Sequence, residues 1–245
     1  MNRARICLVL ALFATPSRPA SSSVPQQDQA KKTPPGKTQK LTNPLNDLLS
    51  EAQRDIDKND CEAAISPLQK VLADQPDFAY GHFQLAYVYT GLKRAEEARG
   101  EYERAISLDP KMAEAYLNLG LLLLNDYLAP GRAIRGYPEA AIQPLRKAVE
   151  LLPAQSRPRY LLALALERSG NDAEAVDSMQ AALRLDPNDF DARTFLGFHF
   201  LRKHQPAEAE PQFRRATEIQ PRDSSAWNGL AQSLDQQDKP EAIAA

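Results

Sequence analysis

The residues best equipped for chemistry in this 245-residue chain are three histidines, two cysteines and a scatter of acidic pairs. His199 and His204 are five residues apart, whereas two imidazoles share one helix face at a spacing of four. His82 is remote from both in sequence, and Cys61 has Cys7 as its one counterpart, so no thiolate cluster is available for a metal. Glu96 and Glu97 stand where a helix should begin, and carboxylates there complement the helix dipole without a catalytic role. The chain contains no Gly-x-Ser-x-Gly nucleophile elbow, no Gly-x-x-x-x-Gly-Lys phosphate loop and no Gly-x-Gly-x-x-Gly turn. Gly131 and Gly136 have phosphate-loop spacing but lack the Lys that must follow. The sequence therefore predicts no enzyme, no metal and no cofactor.

Composition narrows the class further. There are 37 alanines against six valines and eight isoleucines, which argues against a sizeable sheet and for helices whose backbones approach closely. The net charge of −2 points to neither nucleic acid nor a membrane surface as partner.

The first 20 residues have the order of an export signal. Arg3 and Arg5 precede an apolar run from Ile6 to Ala14, and Pro16 with small residues around Ser17 and Ala20 follows. That run is too short to span a bilayer, so no stable membrane span is expected after signal removal. Removal would leave 27 basic against 32 acidic residues and Cys61 as the single cysteine. The expected location is therefore exported: periplasmic or extracellular in a bacterium. Residues 21–44 are rich in Ser, Pro, Gln and Lys and cannot offset their ordering entropy by burial, which predicts a disordered linker.

From residue 45 the chain repeats itself. Pro76, Pro110, Pro153, Pro187 and Pro221 are separated by 34, 43, 34 and 34 residues, a regular period with one insertion of nine. Twelve residues before each proline stands Ala64, Ala98, Ala141, Ala175 or Ala209. Four later comes a bulky residue (Leu68, Tyr102, Leu145, Met179, Phe213), and three later Val71, Ala105, Ala148, Ala182 or Ala216. Upstream, Leu85-Ala86, Leu119-Gly120, Leu162-Ala163, Leu196-Gly197 and Leu230-Ala231 pair a large residue with a small one. Spacings of three, four and seven place these positions on one helix face, and the small residues let two helices close on each other.

This pattern resembles the tetratricopeptide repeat over residues 45–245. The resemblance implies an all-α fold, a right-handed α-α superhelical solenoid of helix-turn-helix repeats. Its units would span about 45–78, 79–112, 113–155 with an insertion near 125–138, 156–189, 190–223 and a partial 224–245. The first unit is divergent, with Glu51-Ala52 in place of the large-small pair. The sixth suits either a polar cap or a truncated array.

In that family the first helix of each unit lines a concave surface. Carried over position by position, the resemblance places Tyr80, Phe83, Tyr87, Leu117, Leu121, Arg157, Tyr160, Leu164, Arg168, Phe198 and Arg202 on a groove for a protein or peptide. Aromatic and arginine side chains of this kind anchor interfaces. Asn118 matches one asparagine of the clamp with which chaperone-binding members hold a C-terminal carboxylate, but Phe83 and Tyr87 stand where Lys and Asn would. The functional expectation is an exported, non-catalytic scaffold that binds a peptide or partner helix in an apolar, Arg-edged groove. The alternative is a fixed structural subunit of a cell-envelope, secretion or pilus-type assembly. No nucleic acid and no small-molecule cofactor is expected as a partner.

Overall fold

The computed structural model describes residues 44–128 and 138–237. The predicted leader, the linker up to residue 43 and most of the predicted insertion lie outside the described residues. Every regular element among the described residues is an α-helix: α1 (Pro44–Asp57), α2 (Cys61–Asp74), α3 (Ala79–Gly91), α4 (Ala95–Leu108), α5 (Ala113–Leu128), α6 (Glu139–Leu151), α7 (Ser156–Arg168), α8 (Asp172–Leu185), α9 (Phe190–Arg202), α10 (Pro206–Ile219) and α11 (Ser224–Asp235). Two compact units meet at the middle of α5, between Asn118 and Leu119. In the first, α1 pairs with α2 and α3 with α4, and α2 packs on α3. In the second, α6 packs on α7, α7 pairs with α8, α9 with α10, and α11 lies against both α9 and α10. Each unit is thus a stack of helical hairpins joined in chain order, as a solenoid requires.

The repeated small and bulky positions form the core. Ala64, Ala98, Ala141, Ala175 and Ala209 are wholly buried, as are Leu68, Tyr102, Leu145, Met179 and Phe213. A β-carbon on Gly120 would come within 2.5 Å of the Leu145 side chain, so the glycine makes room for the bulky residue of the next helix. Even the divergent first unit keeps this logic, with Ala52 buried beneath α2.

Four of the described hairpins turn through the same device. Asn59, Lys93, Gly170 and His204 adopt φ of 64°, 60°, 77° and 56° immediately after a first helix. One residue on, the backbone N–H reaches back five residues: Asp60 to Asp55 and Asn171 to Leu166 at 2.8 Å, Arg94 to Tyr89 and Gln205 to Phe200 at 2.9 Å. A left-handed residue with this long bond is the Schellman termination. His204 therefore stands in a turn.

The predicted insertion begins as helix: α5 runs on through Leu128 and is 16 residues long where α3, α7 and α9 have 13. Cys61 opens α2 fully buried. Cys7 lies outside the described residues.

Candidate partner-binding faces

In the first unit α3 is apolar around its whole circumference, and such a helix is covered on several sides. Phe83 is 3% exposed, its ring 6.0 Å from that of Tyr102 on α4. It was expected on the groove surface, but it belongs to the core between α3 and α4. Leu117 and Leu121, at 2% and 8% exposure, are corrected in the same way. For Phe83 the reason is the close approach of α3 and α4, whose interface its ring fills instead of facing solvent.

Tyr80 and Tyr87 keep a face to solvent, one helix stripe seven residues long. Burial of the rest of each ring raises both hydroxyls above the ordinary phenol range, and Asp57 adds to the effect at Tyr87. Gln84, which the sequence did not single out, is buried between them and donates to the Tyr80 hydroxyl at 2.7 Å and to Gln53 of α1 at 3.2 Å. Its position on the same stripe as Tyr80 was the available signal. Asn118 on α5 is 2% exposed and lies beside the Tyr102 hydroxyl, in the core and not on a surface where a clamp could act.

In the second unit α7 presents Arg157, Tyr160, Leu164 and Arg168 along one stripe, all partly exposed. Tyr160 packs on the cluster of Ala163, Met179, Ala192 and Leu196. Burial and the nearby Asp191 and Asp189 push its hydroxyl up to about 12. Burial also holds the Arg157 guanidinium below its ordinary value. Among the described residues, neither Arg157 nor Arg168 has a carboxylate within ion-pair distance, whereas Arg146 is paired with Glu174, Arg214 with Glu210 and Arg215 with Glu218. The two free guanidiniums are eleven residues apart on α7, roughly 16 Å along the axis.

On α9, Phe198 packs half-buried on the cluster around Phe213, its ring 4.9 Å away. Arg202 is exposed but engaged by Glu167. The same carboxylate lies 3.3 Å from Nδ1 of His199, a buried imidazole stacked against Phe195. His199 is thus a tie between α7 and α9. Among the described residues, no three His, Cys, Asp or Glu side chains converge as metal ligands, and no helix is long and apolar enough to cross a membrane.

A TPR repeat profile matches residues 87–126, and tetratricopeptide repeat profiles match residues 132–190 and 173–234. The chain is 30% identical over 143 residues to the antiviral innate immune response effector IFIT1 of Macaca fascicularis, covering 55% of this chain and 28% of that protein. It thus spans little more than a quarter of that relative's length. Among solved structures, MamA (41-end) from Desulfovibrio magneticus RS-1 superposes with a TM-score of 0.67 at 21% identity, covering 75% of this chain and 99% of that one. YrrB, described as a TPR protein with an unusual peptide-binding site, gives 0.64 at 23% identity, covering 74% and 89%. PilF of Pseudomonas aeruginosa gives 0.66 at 20%, covering 82% and 87%. These likenesses show the fold.

Proposed function

Because the chain belongs to the tetratricopeptide repeat family, we propose that it is an exported, non-catalytic scaffold that binds another protein through the exposed stripes of its first helices. The observation that carries this reading is on α7: Arg157 and Arg168, neither in an ion pair among the described residues, flank the partly exposed Tyr160 and Leu164. A half-desolvated arginine gains most from a carboxylate that arrives with its own apolar neighbours, since the pair forms in a site already partly dry. The fitting partner is a peptide or helix with acidic residues about 16 Å apart on either side of an apolar centre. The partly exposed Tyr80 and Tyr87 support a second contact in the first unit. The tyrosines of α3 supply apolar area there. A non-catalytic role is supported by the histidines: His82 and His199 turn ring nitrogens to Glu101, Pro76 and Glu167, not to a nucleophile.

Selection from a displayed peptide library tests the binding reading. Peptides pairing acids with an apolar centre should be enriched, and Arg157→Ala with Arg168→Ala should abolish that enrichment without changing helical content. An enriched set that the double substitution leaves unchanged would refute it.

Export rests on Arg3, Arg5 and the run Ile6 to Ala14. The intact mass of protein recovered from its native compartment should show the loss of about twenty residues. A chain still carrying Cys7 would end the export-with-cleavage reading.

A further inference from the structure

We propose that His82 is a proton-dependent tie across the seam between the first and second repeats. The seam is closed by two hydrogen bonds when both ring nitrogens carry hydrogen and loosened when one proton is lost. The link from α2 to α3 turns at Pro76, whose carbonyl oxygen lies 2.8 Å from Nε2 of His82. On the other side of the ring, Nδ1 lies 2.6 Å from Oε2 of Glu101 on α4. A carbonyl and a carboxylate are both acceptors, and a neutral imidazole has a single N–H to donate. So short a contact between a ring nitrogen and a carboxylate oxygen needs a proton between them. Carrying both hydrogens, His82 fastens α4 to the bend that closes the first repeat.

The other seams show what is distinctive here. Six residues after its closing proline, each of three later repeats uses a donor to the same carbonyl. Arg159 reaches Pro153 at 2.9 Å, Arg193 reaches Pro187 at 2.7 Å, and the Trp227 indole reaches Pro221 at 2.8 Å. Guanidinium and indole keep their hydrogens at every physiological pH. Among these four donors, only an imidazole can carry either one N–H or two.

The surroundings isolate the effect. Helix α3 carries no other charged residue. From α4 comes Glu101, together with Arg104, which bonds Asp77 of the link at 2.7 Å. Helix α2 carries Glu62, Lys70 and Asp74, and the ring's hydrogen-bond contacts among the described residues are Glu101 and Pro76. Because the Arg104–Asp77 pair stays charged over the physiological range, loss of the His82 proton weakens the seam without dissolving it. The helix that loses its anchorage is α2, which ends at the link.

Hydrogen exchange of the full chain from pH 5.5 to 8, expressed as protection factors, tests the proposal. Protection of α2 should fall about three- to tenfold relative to α11, whose seam is tied by Trp227. His82→Arg supplies the permanent donor of the later seams and should abolish that dependence. An unchanged pH dependence in His82→Arg, or none in the original chain, overturns the proposal. Should the variant not fold, the imidazole nitrogen resonances of the original chain decide. Two N–H groups on His82 at pH 5.5, becoming one in step with the α2 protection, support the tie. A single N–H throughout excludes it.

Discussion

The ring of Phe213 on α10 lies where a β-carbon of Gly197 on α9 would have to be, with Cζ 2.6 Å from that position. The same ring blocks Gly229 of α11 still more closely, so one buried phenylalanine is held between two glycines from successive repeats. Helices α9 and α11 come together across it. Gly197→Ala is therefore expected to cost about 1–3 kcal/mol through overpacking, despite the better helix propensity of alanine. Gly100→Ala, where an added β-carbon meets nothing within 4 Å on exposed α4, should stabilise by about 0.5–1 kcal/mol. Denaturant unfolding of the two variants checks both signs.

The hairpin turns supply an opposite pair. His204 sits at φ 56° and Gly170 at φ 77°, in equivalent positions. His204→Gly should raise stability by about 1 kcal/mol by relieving a left-handed side chain, and Gly170→Ala should lower it by a similar amount. Melting curves that show no change in either variant would mean these turns carry no such strain.

Phe83 and Tyr87 separate core from surface on one helix. Phe83→Ala should cost about 3–5 kcal/mol, because its ring is buried against Tyr102. Tyr87→Ala, with half its ring exposed, should affect partner binding more than unfolding. Parallel unfolding and peptide-binding measurements distinguish the two.

At high pH the tyrosines set the limit. The Tyr160 hydroxyl is raised to about 12 by burial and by Asp191 and Asp189, and that of Tyr102 is raised by complete burial. A raised folded value means that the unfolded chain loses its proton first, near 10. The stabilising contribution is thus complete below about pH 10 and is lost as pH climbs toward 12. Tyr160→Phe should flatten that decline, as followed by phenolate absorbance alongside helical signal.

The periodic spacing of Ala64, Leu68 and Val71 and of their counterparts was enough to locate the hairpins and the buried face of each helix. A period of 34 residues with a helical sub-pattern has few other solutions. What spacing records is the polarity of a helix face, not which neighbour covers it. Phe83 has the sequence position of a surface residue, and only the closeness of α4 decides that it is buried. Equally, the residue six places after four of the five closing prolines is of three different types: His82, Arg159, Arg193 and Trp227. Its shared task, a hydrogen bond to the proline carbonyl, depends on the bend of the chain between helices, and so it emerges from the tertiary structure alone.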